Sequence, residues 1–284
     1  MRIATARVLA AALLALGCST ALPAHQLIEG LDHVPVAVAD LDRAAADFAR
    51  LGFVIKPGRP HEDGIQNRHI KFPNGGGIEL ITARSSNDAL SAEYVEWLRA
   101  GDGPAFWSIY SPNLKALTAS LDGQQLAPHN EGDLVTWSGT QTYRLFFGDR
   151  LTPPTDGAAY WAHPNTAYKL RAVWLSAAGD ERRLLKALGG NLTEEVGCAP
   201  FDAHATGIIL PGEGDEVFVT SRARQPPHRR IVGLTLLVRD IRAARRVLEL
   251  ADIPYVPAAA SCAGNRSLWI QPAHAHNMWL ELRQ

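Results

Sequence analysis

Few side chains in this sequence carry chemistry beyond packing, and the strand-like segments hold most of them. His33 stands in the alternating run Leu31 to Val38. Glu79 sits inside Gly77-Ile-Glu-Leu-Ile81, and Glu281 inside Met278-Trp-Leu-Glu-Leu282, each acid set between apolar neighbours. An imidazole with carboxylates is the donor mixture of a divalent-metal site, and a group left over can move protons. The same residues have a plainer reading, because a strand histidine is usually structural and alternation alone can turn Glu79 to solvent. His69, on the run Asn67 to Phe72 with Lys71 on its face, and His276, just before the last strand, are secondary ligands or bases. Trp107, Trp137, Trp161, Trp269 and Trp279 could line an apolar pocket, although core packing is their default. Cys198 and Cys262 lack metal-ligand spacing and could pair in an oxidising compartment. A Gly-rich phosphate loop, a GxSxG elbow and an HExxH helix are all absent.

The elements that would position these groups are repeated. Leu31 to Ala46 aligns with Ile231 to Arg246 without a gap, at an offset of 200. Val34, Val36 and Val38 alternate as a strand, and Asp40 and Asp240 then stand where a helix N-cap accepts a backbone N–H. Leu41, Ala45, Phe48 and Leu51 follow at helical spacing, Gly52 ends the helix, and Phe53-Val54-Ile55 opens the next strand. Glu79 and Glu281 close the first and last copies alike. Two weaker copies lie between. One opens at Ala105-Phe-Trp-Ser-Ile-Tyr and carries a strand-like Thr142 to Phe147. The other runs from Leu170-Arg-Ala-Val-Trp through a helix at Asp180 to Leu188 to Glu216-Val-Phe-Val-Thr220. The repeat therefore predicts four units, at 29–83, 104–163, 168–222 and 230–284. The arginines 222, 224, 229 and 230, lying among prolines, read as a solvated linker.

A chain of 284 residues can bury one large or two medium cores. Hydrophobic content of 46%, charged content of 20% and a net charge of −1 describe an ordinary globular protein. No basic excess points to nucleic acid. Residues 1–24 differ from the rest: Arg2 and Arg7, a short apolar run from Val8 to Leu16, then small residues. This pattern predicts an export signal, too short to span a bilayer comfortably, and a periplasmic or secreted protein with no transmembrane span after processing. Ser19-x-Ala21 suits cleavage after Ala21, whereas Ala15-Leu-Gly-Cys18 resembles a lipoprotein box that would acylate Cys18.

The opening Leu31-Asp-His-Val-x-Val-x-Val-x-Asp-Leu-Asp resembles the first module of glyoxalase-like domain proteins of the vicinal-oxygen-chelate superfamily. His163-Pro-Asn165 and the ending Ala275-His-Asn-Met-Trp-Leu-Glu-Leu282 are similar to that family too. The resemblance implies an α+β fold of four βαβββ modules, pairing into two curved half-barrel sheets of the glyoxalase, bleomycin-resistance and dihydroxybiphenyl-dioxygenase type. It also implies a divalent metal (Zn, Mn, Ni, Fe or Co) held by residues of first and last strands, hence His33, Glu79 and Glu281. Unit four has Gly233 where a histidine is expected, so units one and four are expected to pair around one site, and two and three with each other. Glu79 or His276 would move the proton. The function implied is a lyase or isomerase acting on a small oxygenated substrate. The alternatives are a metal-free binding protein of the bleomycin-resistance type and an extradiol-dioxygenase-like enzyme, which would need His69 or His276 beside His33.

Overall fold

The computed structural model describes residues 27–59, 61, 64–136, 145–150, 154–176, 180–193, 199–200, 205–220, 229–257 and 266–284. The expected export signal with Cys18, both later cysteines and Trp137 lie outside these residues. The order of elements is strand, helix and three strands, four times over. The first set is β1 (Gly30–Leu31) with β2 (His33–Ala37), α1 (Leu41–Arg50), β3 (Lys56–Pro57), β4 (Ile65–Lys71) and β5 (Gly77–Ala83). An extra helix, α2 (Ala89–Leu98), leads to the second: β6 (Gly103–Pro104) with β7 (Trp107–Tyr110), α3 (Leu114–Gly123), β8 (His129–Asn130), β9 (Leu134–Thr136) and β10 (Leu145–Gly148). The third is β11 (Ala167–Leu175), α4 (Glu181–Ala187), β12 (Asn191–Leu192), β13 (Thr206–Ile209) and β14 (Glu216–Val219). The fourth is β15 (Ile231–Val238), α5 (Ile241–Leu250), β16 (Tyr255–Pro257), β17 (Ser267–Ile270) and β18 (Trp279–Arg283). No helix among the described residues is long and apolar enough to cross a membrane.

Local chemistry explains the match of the outer copies. Asp40 Oδ1 accepts the Arg43 N–H at 3.0 Å, and Asp240 Oδ1 accepts that of Arg242 at 2.8 Å. Ala44, Ala45 and Phe48 of α1 are buried, as are Ile241, Ala244 and Leu248 of α5. Both helices end in a left-handed turn, at Gly52 (φ 86°) and, 200 residues later, at Asp252 (φ 54°). Asp tolerates that region better than most residues, so the offset survives the change of side chain. At Gly52 a Cβ would stand 2.7 Å from Val247 and 2.9 Å from Asn165, so contact as well as φ demands glycine there.

Hydrogen bonding corrects the expected pairing of units. β11 and β15 run antiparallel at the centre of one eight-stranded sheet, β12-β13-β14-β11-β15-β18-β17-β16, which joins units three and four. Units one and two are joined in the same way by a divided seam. β1 pairs with β7 and β2 with β6, both antiparallel, so the strand through residues 30–37 changes sheets at Asp32. Units one and four therefore do not share a sheet. One hydrophobic cluster runs through all four units and includes Val34, Val36, Phe48, Leu80, Trp107, Leu234, Leu248 and Leu280. It lies against one face of the sheets and leaves the alternate side chains on the other.

Arg229 is not linker. It is 7% exposed, donates to the carbonyls of Gly101 and Asp102, and lies 5.5 Å from the Trp97 ring. Helix α2, with no counterpart in the repeat, packs Tyr94 and Trp97 over Ala37, Ile65, Ile81 and Ala83, closing one end of the free face of unit one.

Candidate functional site

That free face gathers the chemistry. Strand periodicity puts His33 on it while Val34 and Val36 enter the core. β5 lies parallel to β2 with Glu79 opposite Pro35, and β4 lies antiparallel to β5 with His69 opposite Glu79. Lys56 is opposite His69 across β3 and β4. His33, Lys56, Asn67, His69, Lys71 and Glu79 thus share one surface. His33 Nε2 is 3.7 Å from Glu79 Oε2. Glu79 Oε1 accepts from Asn67 Nδ2 at 2.7 Å, which fixes the carboxylate. Phe146 meets the His33 ring edge-on, with centroids 5.5 Å apart.

The other nitrogen of His33 is committed. Its Nδ1 lies 2.5 Å from Asp32 Oδ2, so Nδ1 donates and Nε2 faces the site. Burial opposes the imidazolium, but Asp32 and then Glu79 outweigh it and raise the pKa of His33. Burial likewise opposes the Asp32 charge, but His33, Arg150 and Lys71 hold this carboxyl below its ordinary range. His69 goes the other way. Desolvation lowers its pKa, Glu79 pulls it back, and Lys71, His33 and Lys56 push it further down. The face thus holds one imidazole that favours its proton and one that favours the neutral, ligand-competent form.

Beside them Lys56 and Lys71 converge on Asp156, a residue of the connection after β10 whose side chain is 3% exposed. Burial opposes the Asp156 charge, but hydrogen bonding from Lys56 and the charge of Lys71 hold its pKa down. Among the described residues, no three His, Cys, Asp or Glu side chains stand gathered around one point as a ready metal cage. The donor set still fits a divalent ion in kind: two imidazoles and a carboxylate on one face, with the far nitrogen of one imidazole held by an acid, the pairing that orients metal-bound histidines.

Glu281 belongs to a different place. It is 2% exposed and accepts from Thr235 Oγ1 and Ser267 Oγ, each at 2.6 Å, while Trp174 Nε1 donates to Thr235 at 2.8 Å. Desolvation raises its pKa despite Arg283 and those two hydroxyls. Its surroundings are the aromatic cluster of Trp174, Phe218, Trp269 and Trp279 on the sheet of units three and four. A Cβ on Gly233 would lie 2.8 Å from the Trp279 carbonyl, so the position matching His33 has no room for a side chain. The expected trio is therefore split: His33 and Glu79 meet, and Glu281 is a packed, hydroxyl-capped acid of the other sheet. His276 is elsewhere too. It stacks on Phe48 at 5.6 Å and spans Asp102, 2.8 Å from its Nδ1, and Asp47, 3.4 Å from its Nε2. Those contacts dock the last unit onto α1, so His276 is not the base beside His33. His163 is a clamp: its Nδ1 accepts the Val54 N–H at 3.0 Å and its Nε2 faces the Lys71 carbonyl at 3.0 Å.

A model of the glyoxalase-like domain family matches residues 31–182, just over half of the chain. The chain belongs to this family. With it comes membership of the vicinal-oxygen-chelate superfamily, whose α+β fold the structure has. The glyoxalase-like chain is also similar to a mutant 4-hydroxymandelate synthase from Streptomyces coelicolor, at 16% identity and TM-score 0.62, covering 91% of this chain and 93% of that one. The 2,3-dioxygenase LapB from Pseudomonas sp. KL28 matches at 12% identity and TM-score 0.62, over 91% and 92%. A xylose isomerase-like TIM barrel/4-hydroxyphenylpyruvate dioxygenase fusion protein matches at 10% identity and TM-score 0.63, over 91% of this chain; the chain spans about half of that protein, 49%. At such identities the likeness establishes the fold. No curated protein matches by sequence.

Sequence reasoning missed several groups of this candidate site. Asp32 was visible as the neighbour of His33. Lys71 stands on the face of His69 already in the sequence, and Lys56 and Asn67 join it once β3, β4 and β5 are paired. Asp156 and Arg150 carry no periodic signal, because they come from connections that only the tertiary fold brings in.

Proposed function

We propose that this glyoxalase-like protein is a metal-dependent enzyme acting on a small oxygenated substrate, with His33, His69 and Glu79 as the residues that hold the ion. The observation behind this reading is the one sheet face that carries all three, with Asp32 fixing the tautomer of His33. A divalent ion there would polarise a substrate oxygen. The chain's own residues do the rest. Asp32 aims Nε2 of His33, Asn67 holds one oxygen of Glu79 and leaves Oε2 toward His33, Phe146 packs edge-on against the His33 ring, and α2 covers the far end of the face. Two imidazoles and one carboxylate favour oxygenase-type chemistry over the lyase or isomerase set of one imidazole and two carboxylates. The dioxygenase names among the structural neighbours agree with that preference.

The test is stoichiometric Co²⁺ binding, read by its visible absorption. Wild type and Glu281→Gln should each take up one ion, and His33→Ala and His69→Ala should lose it. Full occupancy in His33→Ala would sink the site. No stoichiometric ion in the wild type would leave the metal-free binding reading in its place. We infer further that residues 1–24 direct export; fractionation of cells expressing the chain with and without them decides it.

A further inference from the structure

We propose that Lys56 and Lys71 form a carboxylate subsite beside the His33, His69 and Glu79 face, so that the ligand is a small oxygenated organic acid, and that Asp156 fills this subsite when no ligand does. The inference rests on that face being the ligand site. Lys56 Nζ pairs with Asp156 Oδ1 and donates to Thr155 Oγ1 at 3.0 Å. Lys71 Nζ lies 3.3 Å from Asp156 Oδ2 and donates to the Gly75 carbonyl at 3.1 Å. An ammonium has three N–H groups, so each lysine keeps one for a ligand. The two lysine side chains are 12% and 16% exposed and share a single carboxylate. Withdrawing charge from water is costly without a counter-charge, and the one carboxylate that both ammoniums pair with comes from a connection rather than from the sheet.

Asp156 is a stand-in rather than a fixture of the sheet. It lies between β10 and the short helical turn Ala158–Tyr160, on no strand, so it can leave without breaking a ladder. Its carboxylate bridges both lysines, which shapes the subsite for that group. Lys71 follows His69 by two residues on β4, about 7 Å along the strand. A ligand of a few carbons spans from the lysines to the imidazoles and Glu79, its carboxylate at one end and its other oxygens at the other.

The probes are benzoate and inorganic phosphate, titrated by calorimetry into purified protein without added metal. Benzoate should bind Asp156→Asn at least tenfold tighter than wild type, because the internal competitor loses its charge. Lys71→Met should abolish benzoate binding, and Lys71→Arg should keep it; this second pair decides the matter even if Asp156→Asn fails to fold. Equal affinity in Asp156→Asn and wild type, unchanged binding in Lys71→Met, or a preference for phosphate would each overturn the subsite. Because no metal is present, the result separates from the Co²⁺ test. Benzoate binding without Co²⁺ uptake would remove the metal reading and leave the subsite, and the reverse would remove only the subsite.

Discussion

At the scale of single residues, two acids of matching position have opposite fates, and their surroundings explain why. Glu79 faces His33 and is fixed by an amide, whereas Glu281 is enclosed by hydroxyls and indoles. The raised pKa of Glu281 means that the folded chain retains a proton which the unfolded chain releases above about 4.5. Stability therefore falls as pH climbs above that value. Glu281→Gln removes the penalty, and it should raise the unfolding free energy at pH 8 in urea titrations, with no gain at pH 4. His33 has the opposite sign. Its folded pKa is raised above 6.5, so its protonated form stabilises the fold below that value and the contribution is lost as pH rises through the folded pKa. Imidazole resonances of the metal-free protein should show His33 titrating above 6.5, and back toward 6.5 in Asp32→Asn. The candidate residue types were readable from the sequence, but their grouping was not. Repetition suggested that Glu281 mirrors Glu79 in role, and it could not show that Trp279 removes the space for a histidine at Gly233.

At the scale of elements, the outer repeats were legible because each step has a local cause. Alternating valines, an Asp cap, helical apolar spacing and a left-handed stop follow one another within about twenty residues. The inner units show less of this. α4 is only seven residues long, with no side-chain cap at Asp180. Helix α2 was invisible to the repeat because it is an insertion, although Asp88 and Ser91 cap it reciprocally. Pairing of units differs from the sequence expectation for a physical reason: candidate ligand residues carry no information about which sheet edges meet. The seam is settled by first strands meeting antiparallel, β11 with β15 and the divided β1 and β2 with β7 and β6.

At the scale of the whole molecule, the half that carries no imidazole pair still touches the half that does. The turn before β14 reaches the first strand: Asp215 Oδ2 accepts the Leu31 N–H at 3.0 Å, and Glu213 N–H donates to the Glu29 carbonyl at 2.7 Å. Gly30, at φ 149°, has no room for a Cβ, which would lie 2.6 Å from that same Asp215 oxygen. Arg150 ties the contact to the site, 2.6 Å from Glu213, 3.5 Å from Asp32, and donating to the Leu31 carbonyl at 2.7 Å. Lys169 completes the network at 2.7 Å from Glu213 and 2.8 Å from Asp215. Arg150→Met removes one cation from Glu213 and one from Asp32, which keep Lys169 and His33, and should cost about 1.5–3 kcal/mol in urea unfolding. Unfolding at the wild-type midpoint would show that the network is ornamental.

The strand that changes sheets at Asp32 has a consequence for how this protein could be taken apart. A repeat chain invites excision of its site-bearing half as a cassette for transplantation or redesign. Here that cut would strip Leu31 of an acceptor and Arg150 of Glu213 at the residue beside His33. The four copies are serial in sequence but interlocked in space, so the first copy is not a separable part.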